Sequence, residues 1–551
     1  MRYDRGMKAH LTAIIRESVE SAQQQGLLAD FMLPLFQVDR PEEAVFGEYT
    51  SNVALMVAKL AGLNPRALAE ILKEMILKNT KNDGLFEKIE VAGPGHLNFF
   101  LSQKTLGQVV ETVLLRGGDY GSVSLGKGQK INNEFISANP TGPLHLGNGR
   151  GGFFGDALAR VLRKTGHDVT NEYYVNDAGE QIMKLGHSVL QDDEAVYAGE
   201  YIDTLHERLT EQAVGENDVR TVGERAVQAI LREHIQPTLA EQMGIHFDVF
   251  TSEKQDIVER GYVDKALAFL AEKNLTYESE SAVWLKTKEF GDDKDRVLVK
   301  SDGTRTYFAS DCGYILSKME RGFNRFILTL GADHHGYRAR LRAAAEALGF
   351  VGRFDFVFVQ MVRLMKDGQE VRMSKRAGNV VSIDELIEKV GADVARFFFL
   401  LYSPDTHMNF DLGLAEERSQ KNPVYYVQYA HARLSSVLRK AVAEGFDIGH
   451  GDTSLLTHPK ERLLLAELLA FPDLMAEVSE RYTVHHLPQY AIRLADHLHS
   501  FYDSCRVIDV DQRALSEARL RLAKSVILVL GETLRLIGVA APESMEGKQK
   551  A

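Results

Sequence analysis

The chain has 551 residues, of which 44% are hydrophobic and 26% charged, and its formal net charge at pH 7 is −12. This length predicts several domains, no apolar run is long enough to cross a bilayer, and the first residues lack the apolar centre of a secretory signal. The only cysteines, Cys312 and Cys505, exclude a disulfide framework and a four-cysteine zinc site, so we expect a cytoplasmic enzyme. The negative charge argues against indiscriminate nucleic-acid binding but leaves room for a structured RNA bound through local patches.

Residues 1–118 are predicted to form a small α+β domain. Asn64 and Pro65 supply an N-cap and a first helical residue for one helix, and a Gly-Pro-Gly turn joins two strands. A glycine-rich stretch at 117–128 is expected to be a linker. The predicted helices span residues 11–25, 52–60 and 65–78, and the predicted strands span 86–91 and 96–101.

Residues 119–390 alternate strands with helices. A strand at 130–137, a helix at 149–166 and a strand at 169–175 form a βαβ pattern. This pattern predicts a Rossmann-like parallel sheet, which binds ligands at the carboxyl ends of its strands. Residues 185–245 are polar with helical periodicity and are expected to be an insertion. Two further buried strands are predicted at 326–330 and 354–359.

Residues 391–551 are predicted to be helical almost throughout. Apolar residues recur at spacings of three and four in segments 463–469, 487–502 and 515–536. Such amphipathic helices bury their apolar faces against one another, which predicts a C-terminal helical bundle. The expected fold class of the whole chain is therefore multidomain α/β.

A turn between a strand and a helix carries the first chemical motif. Residues 133–148 run from an apolar strand through a Pro/Gly turn into His145-Leu146-Gly147-Asn148, which opens a helix. Backbone N–H groups at a helix start bind phosphate, and glycines let a ligand approach the backbone closely. The segment therefore predicts a phosphate site beside His145. The alternative is a turn with an incidental histidine, since motifs this short recur by chance.

A second motif lies far downstream, at Arg372-Met373-Ser374-Lys375-Arg376. Lysine is a mobile point charge that suits the β- and γ-phosphates of a nucleotide, and the polar context suits a closing loop. The alternative is a solvated loop that binds nothing. Together the two motifs supply what is needed to hold a triphosphate and to stabilise charge while its α-phosphorus is attacked.

The two motifs resemble the His-Ile-Gly-His and Lys-Met-Ser-Lys-Ser signatures of class I aminoacyl-tRNA synthetases, and their surroundings resemble the arginyl-tRNA synthetase family along essentially the whole chain. The resemblance implies two steps: arginine attacks the α-phosphorus of ATP to give arginyl-adenylate and pyrophosphate, and the arginyl group then passes to the terminal adenosine of tRNA. In this family the first step generally needs bound tRNA. The supporting stretches are 137–143, 174–179, 331–337, 426–433 and Asp393-Val394-Ala395-Arg396, which is similar to the family's Asp-Ala-Leu-Arg hallmark.

The same resemblance implies roles at an ATP site. His145 would donate to phosphate oxygens, and Asn148 stands where the second histidine of the signature usually lies, so it can donate without a positive charge. Lys375 matches the catalytic lysine, and Arg372 replaces the first lysine of the loop and keeps its charge. ATP itself would bring Mg²⁺. The other residues implied in ATP binding are Gly147, Met373 and Ser374 near the phosphates, Gly331 and Asp333 at the ribose, and the backbone of Met361 and Val362 at the adenine.

An arginine pocket can be argued from chemistry, because a guanidinium is planar, always charged and best bound by bidentate carboxylates. Glu134 and Asp311 are the candidates, and Tyr307 lies four residues before Asp311 on the same helical face. These positions resemble the family's guanidinium-binding carboxylates and tyrosine. The alternatives are an ion pair inside the domain for Glu134 and core packing for Tyr307. The remaining arginine-site residues implied by the resemblance are Ser137 and Asn139 at the α-amino and carboxylate ends, and His334 where some relatives carry glutamine.

Two regions are predicted to touch tRNA. Tyr426, Tyr429 and Arg433 share one helix face, and aromatic and arginine side chains stack on unpaired bases such as those of an anticodon. The alternative is that both tyrosines belong to the core of the bundle. Near the other end of the chain, the strand after the Gly-Pro-Gly turn resembles the family's segment that meets the tRNA elbow, with His96 in place of a phenylalanine and Asn98 able to read a base edge.

The expected partners are L-arginine, ATP and the tRNA for arginine, with no membrane, no protein-bound metal and a monomeric chain. Histidines are frequent in the C-terminal region, but no set has the spacing of metal ligands. The absence of a four-ligand Cys/His zinc set argues against a cysteinyl-type synthetase. A non-catalytic, tRNA-binding paralogue of a synthetase is favoured only by Asn148 and Arg372, and both are tolerable changes.

Overall fold

The computed structural model describes residues 6–81, 83–211, 218–371 and 381–545. They form two compact units. One unit contains the residues up to 125 together with 423–536 and the segment from 540 onward, and the other contains 126–422 and 537–539. Within these described ranges, no helix combines the length and the apolar character that a membrane crossing needs.

The first unit begins with helices packed around a small antiparallel sheet. Its elements in chain order are α1 (Met7–Gln24), β1 (Val38–Asp39), β2 (Tyr49–Ser51), α2 (Val53–Ala61), α3 (Pro65–Asn79), β3 (Phe86–Ala92), β4 (His96–Leu101) and α4 (Gln103–Arg116). The strand order is β1-β2-β4-β3. As predicted, Asn64 caps α3 by accepting the N–H of Arg66, and Pro65 is its first residue.

The second unit is built from alternating strands and helices. In chain order they are β5 (Lys130–Glu134), α5 (Leu146–Lys164), β6 (Asp168–Val175), α6 (Glu180–Leu190), α7 (Glu200–Glu211), α8 (Val219–Ile230), β7 (Val249–Ser252), α9 (Tyr262–Glu272), β8 (Thr276–Ser279), β9 (Ala282–Leu285), β10 (Arg296–Val299), α10 (Tyr307–Glu320), β11 (Arg325–Gly331), α11 (Tyr337–Ala347), β12 (Arg353–Val359), β13 (Val362–Lys366), β14 (Gln369–Glu370), α12 (Ile383–Val390), α13 (Ala392–Leu400), β15 (Met408–Asp411) and α14 (Leu412–Glu416).

The central sheet of this unit is parallel throughout, in the order β12-β11-β5-β6-β7. Phe326 and Leu328 of β11 pack with apolar residues of α10 and α11 in a buried core. The parallel sheet confirms the predicted α/β class and has its strand ends on one edge, where such sheets bind ligands. Two small sheets, β10-β9-β8 and β14-β13-β15, complete the unit.

The strand that was predicted to end at residue 137 ends earlier, at Glu134. Ile136 and Ser137 adopt left-handed φ angles of 65° and 39°, and this turn stops the strand pairing. A positive φ is strained for a β-branched residue such as Ile136, so the surrounding structure must hold the turn in place. The segment that follows leads into the first motif.

The C-terminal part of the first unit is helical, as predicted. Its helices are α15 (Pro423–Ala443), α16 (Pro459–Arg481), α17 (His486–Ser504) and α18 (Arg513–Ile537). Leu464, Leu468 and Leu494 are fully buried, which agrees with the predicted apolar spacing.

Candidate active site

A cavity of about 1340 Å³ opens at the carboxyl ends of β5, β6, β11 and β12. It collects side chains that lie far apart in the sequence, which is what a parallel sheet with crossover helices does. The predicted site residues that line it are Glu134, Ser137, Asn139, His145, Gly147, Asn148, Tyr307, Asp311, Gly331, Asp333, His334 and Met361.

Not every predicted ATP-site residue reaches this cavity. Val362 is not part of the lining; it begins β13 and pairs with Met408 of β15. Gln360 and Met361, which precede it, do line the cavity. The remaining predicted residues, Arg372, Met373, Ser374 and Lys375, lie outside the described residues.

His145 is the N-cap of α5. Its Nδ1 accepts the N–H of Gly147 at 3.1 Å, and its own backbone N–H donates to the side-chain oxygen of Asn148 at 3.0 Å. Desolvation lowers the pKa of His145, so the ring is neutral at pH 7. Because Nδ1 accepts, the proton of the neutral ring lies on Nε2, where it can be donated to an anion. The backbone N–H groups of the first turn are already used, because those of Asn148 and Gly149 donate to the His145 carbonyl and that of Leu146 to Val381. The donors that the helix start offers to phosphate are therefore the His145 imidazole and the Asn148 amide.

The residues that follow the second motif pair with the first motif. Leu146 donates its N–H to the carbonyl of Val381 at 3.2 Å, and Ile383 donates to the carbonyl of Leu144 at 3.0 Å. Ser382 lies between them and lines the cavity. This pairing places residues 381–383, which directly follow the second motif's segment, beside His145. The sequence alone did not reveal that these two parts of the chain are neighbours.

Two carboxylates with raised pKa values, Asp311 and Glu253, lie at another part of the cavity. Asp311 is 4.0 Å from Arg340, and burial together with the neighbouring carboxylates raises its pKa to about 7. Glu253 is 5% exposed, and burial raises its pKa too, although the hydroxyls of Ser310 and Tyr174 bond to it. Two such carboxylates have the chemistry to bind an organic cation, since a cation would offset the cost of burying their charge.

Glu253 was not predicted from the sequence. It follows the last residue of β7, a strand of only four residues after the helical insertion. A carboxylate just beyond a parallel strand is the signal that could have revealed it, but recognising the strand requires the pairing of β7 with β6.

Glu134 is held inside the domain, as the alternative interpretation proposed. Its carboxylate bonds to the Lys318 ammonium at 2.5 Å, and the hydroxyl of Tyr314 donates to it at 3.0 Å. Both ionic side chains are nearly inaccessible, with exposed fractions of 7% for Glu134 and 4% for Lys318. Glu134 also lines the cavity, but its charge is already balanced. Asp311 and Glu253 are therefore better candidates for a guanidinium than Glu134, because among the described residues Asp311 has only the 4.0 Å contact with Arg340 and both carboxyls have raised pKa values.

The other predicted arginine-site residues line the same cavity. Tyr307 begins α10 and is 59% exposed, so the core-packing alternative for it is wrong. The Ser137 hydroxyl donates to Glu134 at 3.3 Å and accepts the N–H of Tyr174 at 3.0 Å, which fixes the left-handed turn. His334 also lines the cavity, with its Nε2 3.5 Å from the exposed Asp333 carboxylate.

Three family models match the chain in succession. They are the arginyl tRNA synthetase N terminal domain at residues 9–101, the catalytic domain of class I (R) tRNA synthetases at 109–396, and the DALR anticodon binding domain at 427–545. The chain belongs to the arginyl-tRNA synthetase family. The resemblance on which the sequence analysis relied is thereby confirmed, and the cavity lies within the residues matched by the catalytic model.

Relatives named arginine–tRNA ligase match along nearly the full length. The protein of Geobacillus thermodenitrificans is 43% identical over 98% of this chain and 99% of its own. The protein of Bacillus subtilis is 41% identical over 97% of this chain and 98% of its own. The solved structure of Thermus thermophilus arginyl-tRNA synthetase shares the fold, with a TM-score of 0.74, 23% identity and coverage of 98% of this chain and 100% of that one.

The predicted anticodon residues of this family member lie on one side of α15. The rings of Tyr426 and Tyr429 lie 4.8 and 6.2 Å from the ring of His499. The Tyr426 hydroxyl donates to Asp496 at 2.6 Å, and the Arg433 guanidinium lies 3.9 Å from the Tyr502 ring centre. The bundle core is made instead by their fully buried neighbours Val424, Val427 and Ala430, while both tyrosines are half-buried.

The predicted elbow residues lie on β4. His96 is half-buried at the start of the strand. Asn98 is 4% exposed, and its side-chain oxygen accepts the hydroxyl of Thr50 at 2.8 Å. Because Asn98 is an internal partner of the sheet, it presents little surface to a base, and His96 is the better placed of the two.

Proposed function

We propose that the chain ligates L-arginine to its cognate tRNA in two steps. In the first, a carboxylate oxygen of arginine bonds to the α-phosphorus of ATP, and pyrophosphate leaves. In the second, the 2′-hydroxyl of the terminal adenosine bonds to the arginyl carbonyl carbon, and AMP leaves. The observation that carries the proposal is one cavity with donors for phosphate at a helix start and two carboxylates of raised pKa for a guanidinium.

At the phosphate end, the chain's contribution is positioning and charge stabilisation. His145 would donate from Nε2 to a phosphate oxygen, the Asn148 side-chain amide would add a second donor, and Gly147 would let the phosphate approach the backbone closely. Lys375 and Arg372 would add positive charge, with Met373 and Ser374 in the same loop. Gly331 ends β11 and Asp333 follows it, at the place proposed for the ribose. Met361 lines the cavity at the place proposed for the adenine, and Val362 is the next residue, at the start of β13.

Magnesium would enter with ATP as part of the substrate. In the described part of the chain, no group of three or more His, Cys, Asp or Glu side chains is arranged to hold a metal ion. The triphosphate oxygens would therefore be the main ligands of Mg²⁺, which keeps several waters and binds few protein groups.

At the arginine end, Asp311 and Glu253 would take the guanidinium. Their raised pKa values reflect buried negative charge, which a permanently charged guanidinium would balance. Tyr307 would lie against the planar group. Glu134 would act through the turn that it holds with Ser137, rather than as a direct ligand. Asn139 and His334 remain predicted contacts of the α-amino and carboxylate ends.

The tRNA would contact both ends of the chain. The anticodon would meet Tyr426, Tyr429 and Arg433 in the helical region 391–551. The elbow would meet the region 1–118 mainly at His96, since the neighbouring Asn98 presents little surface. Residues 119–390 would hold the catalytic cavity. Tyr426 and Tyr429 are only half-buried, so part of each side chain is accessible for stacking on unpaired bases. The monomeric state and the cytoplasmic location stay predictions.

The test is charging of tRNA with labelled arginine by the wild-type chain and by Lys375→Ala. The variant is expected to lose charging by at least about 100-fold, because it removes one stabiliser of developing phosphate charge, while tRNA binding stays unchanged. Lys294→Ala, an exposed lysine of the same unit, is the matched control and should charge normally. A wild-type chain that binds tRNA but charges nothing would instead support the non-catalytic paralogue, which the full-length likeness to ligases does not favour.

A further inference from the structure

The largest fully buried side chain of the described residues is a cation, Arg150. It is the fifth residue of α5 and is 2% exposed. Its Nη1 donates to the carbonyl of Gln360 at 2.9 Å, and its Nη2 donates to the carbonyl of Ser403 at 2.8 Å. Within the described ranges its Nε has no hydrogen-bond partner, and no carboxylate lies within ion-pair distance of the guanidinium.

Burying a charged guanidinium without a close carboxylate costs desolvation free energy. Desolvation lowers the pKa of Arg150 to about 10, and the charge of Asp405 opposes this only in part. An apolar side chain of similar size would fill the space without the desolvation cost, which is several kcal/mol for a buried ion by order of magnitude. Core packing therefore does not explain why this position carries a guanidinium. What a guanidinium provides here, and an apolar side chain would not, is the pair of hydrogen bonds to the Gln360 and Ser403 carbonyls.

Both carbonyls belong to segments beside the part of the cavity proposed for adenine. Gln360 follows β12 and lines the cavity with Met361. Its N–H donates to the carbonyl of Pro404 at 2.8 Å, and Met408 donates to the carbonyl of Met361 at 3.3 Å. The backbone at 360–361 is thus held both by the 403–408 segment and by Arg150, which bonds to that segment as well.

The hydrogen bonds of Arg150 link the backbone at 360–361 to the start of helix α5. Arg150 lies one turn after Leu146 on α5, whose first residues carry the proposed phosphate donors. Asn148 and Gly151 line the cavity, but Arg150 does not, so it would not touch a ligand there. A planar guanidinium with two parallel donors fixes two carbonyls at once, which a lysine ammonium on a flexible stem does less well.

We propose that Arg150 is a positioning residue for ATP, which sets the adenine-side backbone at Gln360 and Met361 relative to the phosphate-binding start of α5. The inference rests on the proposed function, because it takes ATP to be the ligand of this cavity. Arginine would be bound elsewhere in the cavity, by Asp311 and Glu253. Loss of the link should therefore affect the use of ATP and not the binding of arginine.

The test compares Arg150→Met, Arg150→Lys and the wild-type chain by the KM for ATP, the KM for arginine and kcat in tRNA charging. Arg150→Met should raise the KM for ATP about 10- to 100-fold, the range expected when a substrate is misplaced by an ångström or so, with the KM for arginine unchanged. Arg150→Lys should give a smaller rise. Preference for ATP over GTP should fall in both variants, because the purine is held less firmly.

The matched control is Arg163→Met, at the far end of the same helix. Arg163 also donates to a backbone carbonyl, that of Val169 at 2.9 Å, and it pairs with Asp248 at 3.0 Å. This control should leave both KM values unchanged. If Arg150→Met does not fold, Arg150→Lys alone decides.

An Arg150 variant that folds and keeps the wild-type KM for ATP and nucleotide preference would overturn the inference. An equal rise in both KM values would do the same, since it would indicate a general structural role. Failure of the proposed function is a separate outcome, because it would appear as a wild-type chain with no arginine- and ATP-dependent charging at all.

Discussion

The raised pKa of Asp311 makes the use of arginine pH-dependent in a defined direction. Burial raises the pKa of the Asp311 carboxyl from the ordinary value of 3.8 to about 7 in the arginine-free protein, so this carboxyl holds a proton below pH 7. A guanidinium binds the carboxylate form, and binding must therefore expel that proton. The apparent affinity for arginine should fall by about tenfold for each pH unit below about pH 7, and level off above it.

The perturbation is Asp311→Asn. A hydrogen bond to a charged group contributes about 1.5–3 kcal/mol, so its loss should raise the KM for arginine about 10- to 150-fold above pH 7. The variant should also show a flatter pH profile, with Glu253 as the remaining titrating carboxyl of the pair. Two assays measure this: the KM for arginine in tRNA charging across pH, and calorimetric proton release on arginine binding in two buffers.

Asp264→Asn is the matched control, because its side chain is 62% exposed and pairs with Arg305 outside the cavity. It should keep the wild-type KM and pH profile. A wild-type KM for arginine that is constant from below to above pH 7 would refute the reasoning. So would an Asp311→Asn profile as steep as that of the wild type, because the proton would then belong to another group.

Three further outcomes are expected. Lys318→Met should lower the free energy of unfolding, measured by urea denaturation, by about 3–5 kcal/mol, because Glu134 would stay buried without its cation. The control Lys265→Met removes an exposed ion pair and should lower it by at most about 1 kcal/mol. Equal effects of the two substitutions would contradict the role of the buried pair. His145→Ala should slow arginine-dependent charging, measured by single-turnover kinetics, about 100- to 1000-fold without loss of tRNA binding. A normal charging rate would show that His145 does not belong to the phosphate site. Tyr426→Ala should weaken tRNA binding by about 1–3 kcal/mol in fluorescence anisotropy, while Tyr426→Phe, which keeps the ring, should bind nearly normally; two normal variants would return Tyr426 to a structural role.

Local patterns in the sequence were sufficient to predict the parallel sheet and the helix start at His145. The βαβ alternation and the Pro/Gly turn are encoded by residues close together in the chain, and the structure has both. The end of β5 was misjudged because the left-handed turn at Ile136 and Ser137 occurs at residues that normally avoid positive φ. Apolar side chains there look like a continued strand.

The charge balance of the cavity could not be predicted, because it depends on partners far apart in the chain. Glu134 looked like a guanidinium ligand until Lys318, which lies on α10, was seen to neutralise it. Glu253 was missed because β7 is short and is recognisable only by its pairing with β6. Arg150 gave no signal at all: a single arginine in a helix is usually solvated, and only its burial against two carbonyls sets it apart.

The most direct single measurement is amino-acid-dependent exchange of pyrophosphate into ATP in the presence of tRNA for arginine, with arginine and with citrulline compared. Citrulline has nearly the same shape as arginine but carries a neutral urea group, so it tests the carboxylate pair of Asp311 and Glu253. We expect exchange with arginine and essentially none with citrulline. Equal exchange with both, or exchange with a different amino acid alone, would contradict the assignment of this cavity to a guanidinium.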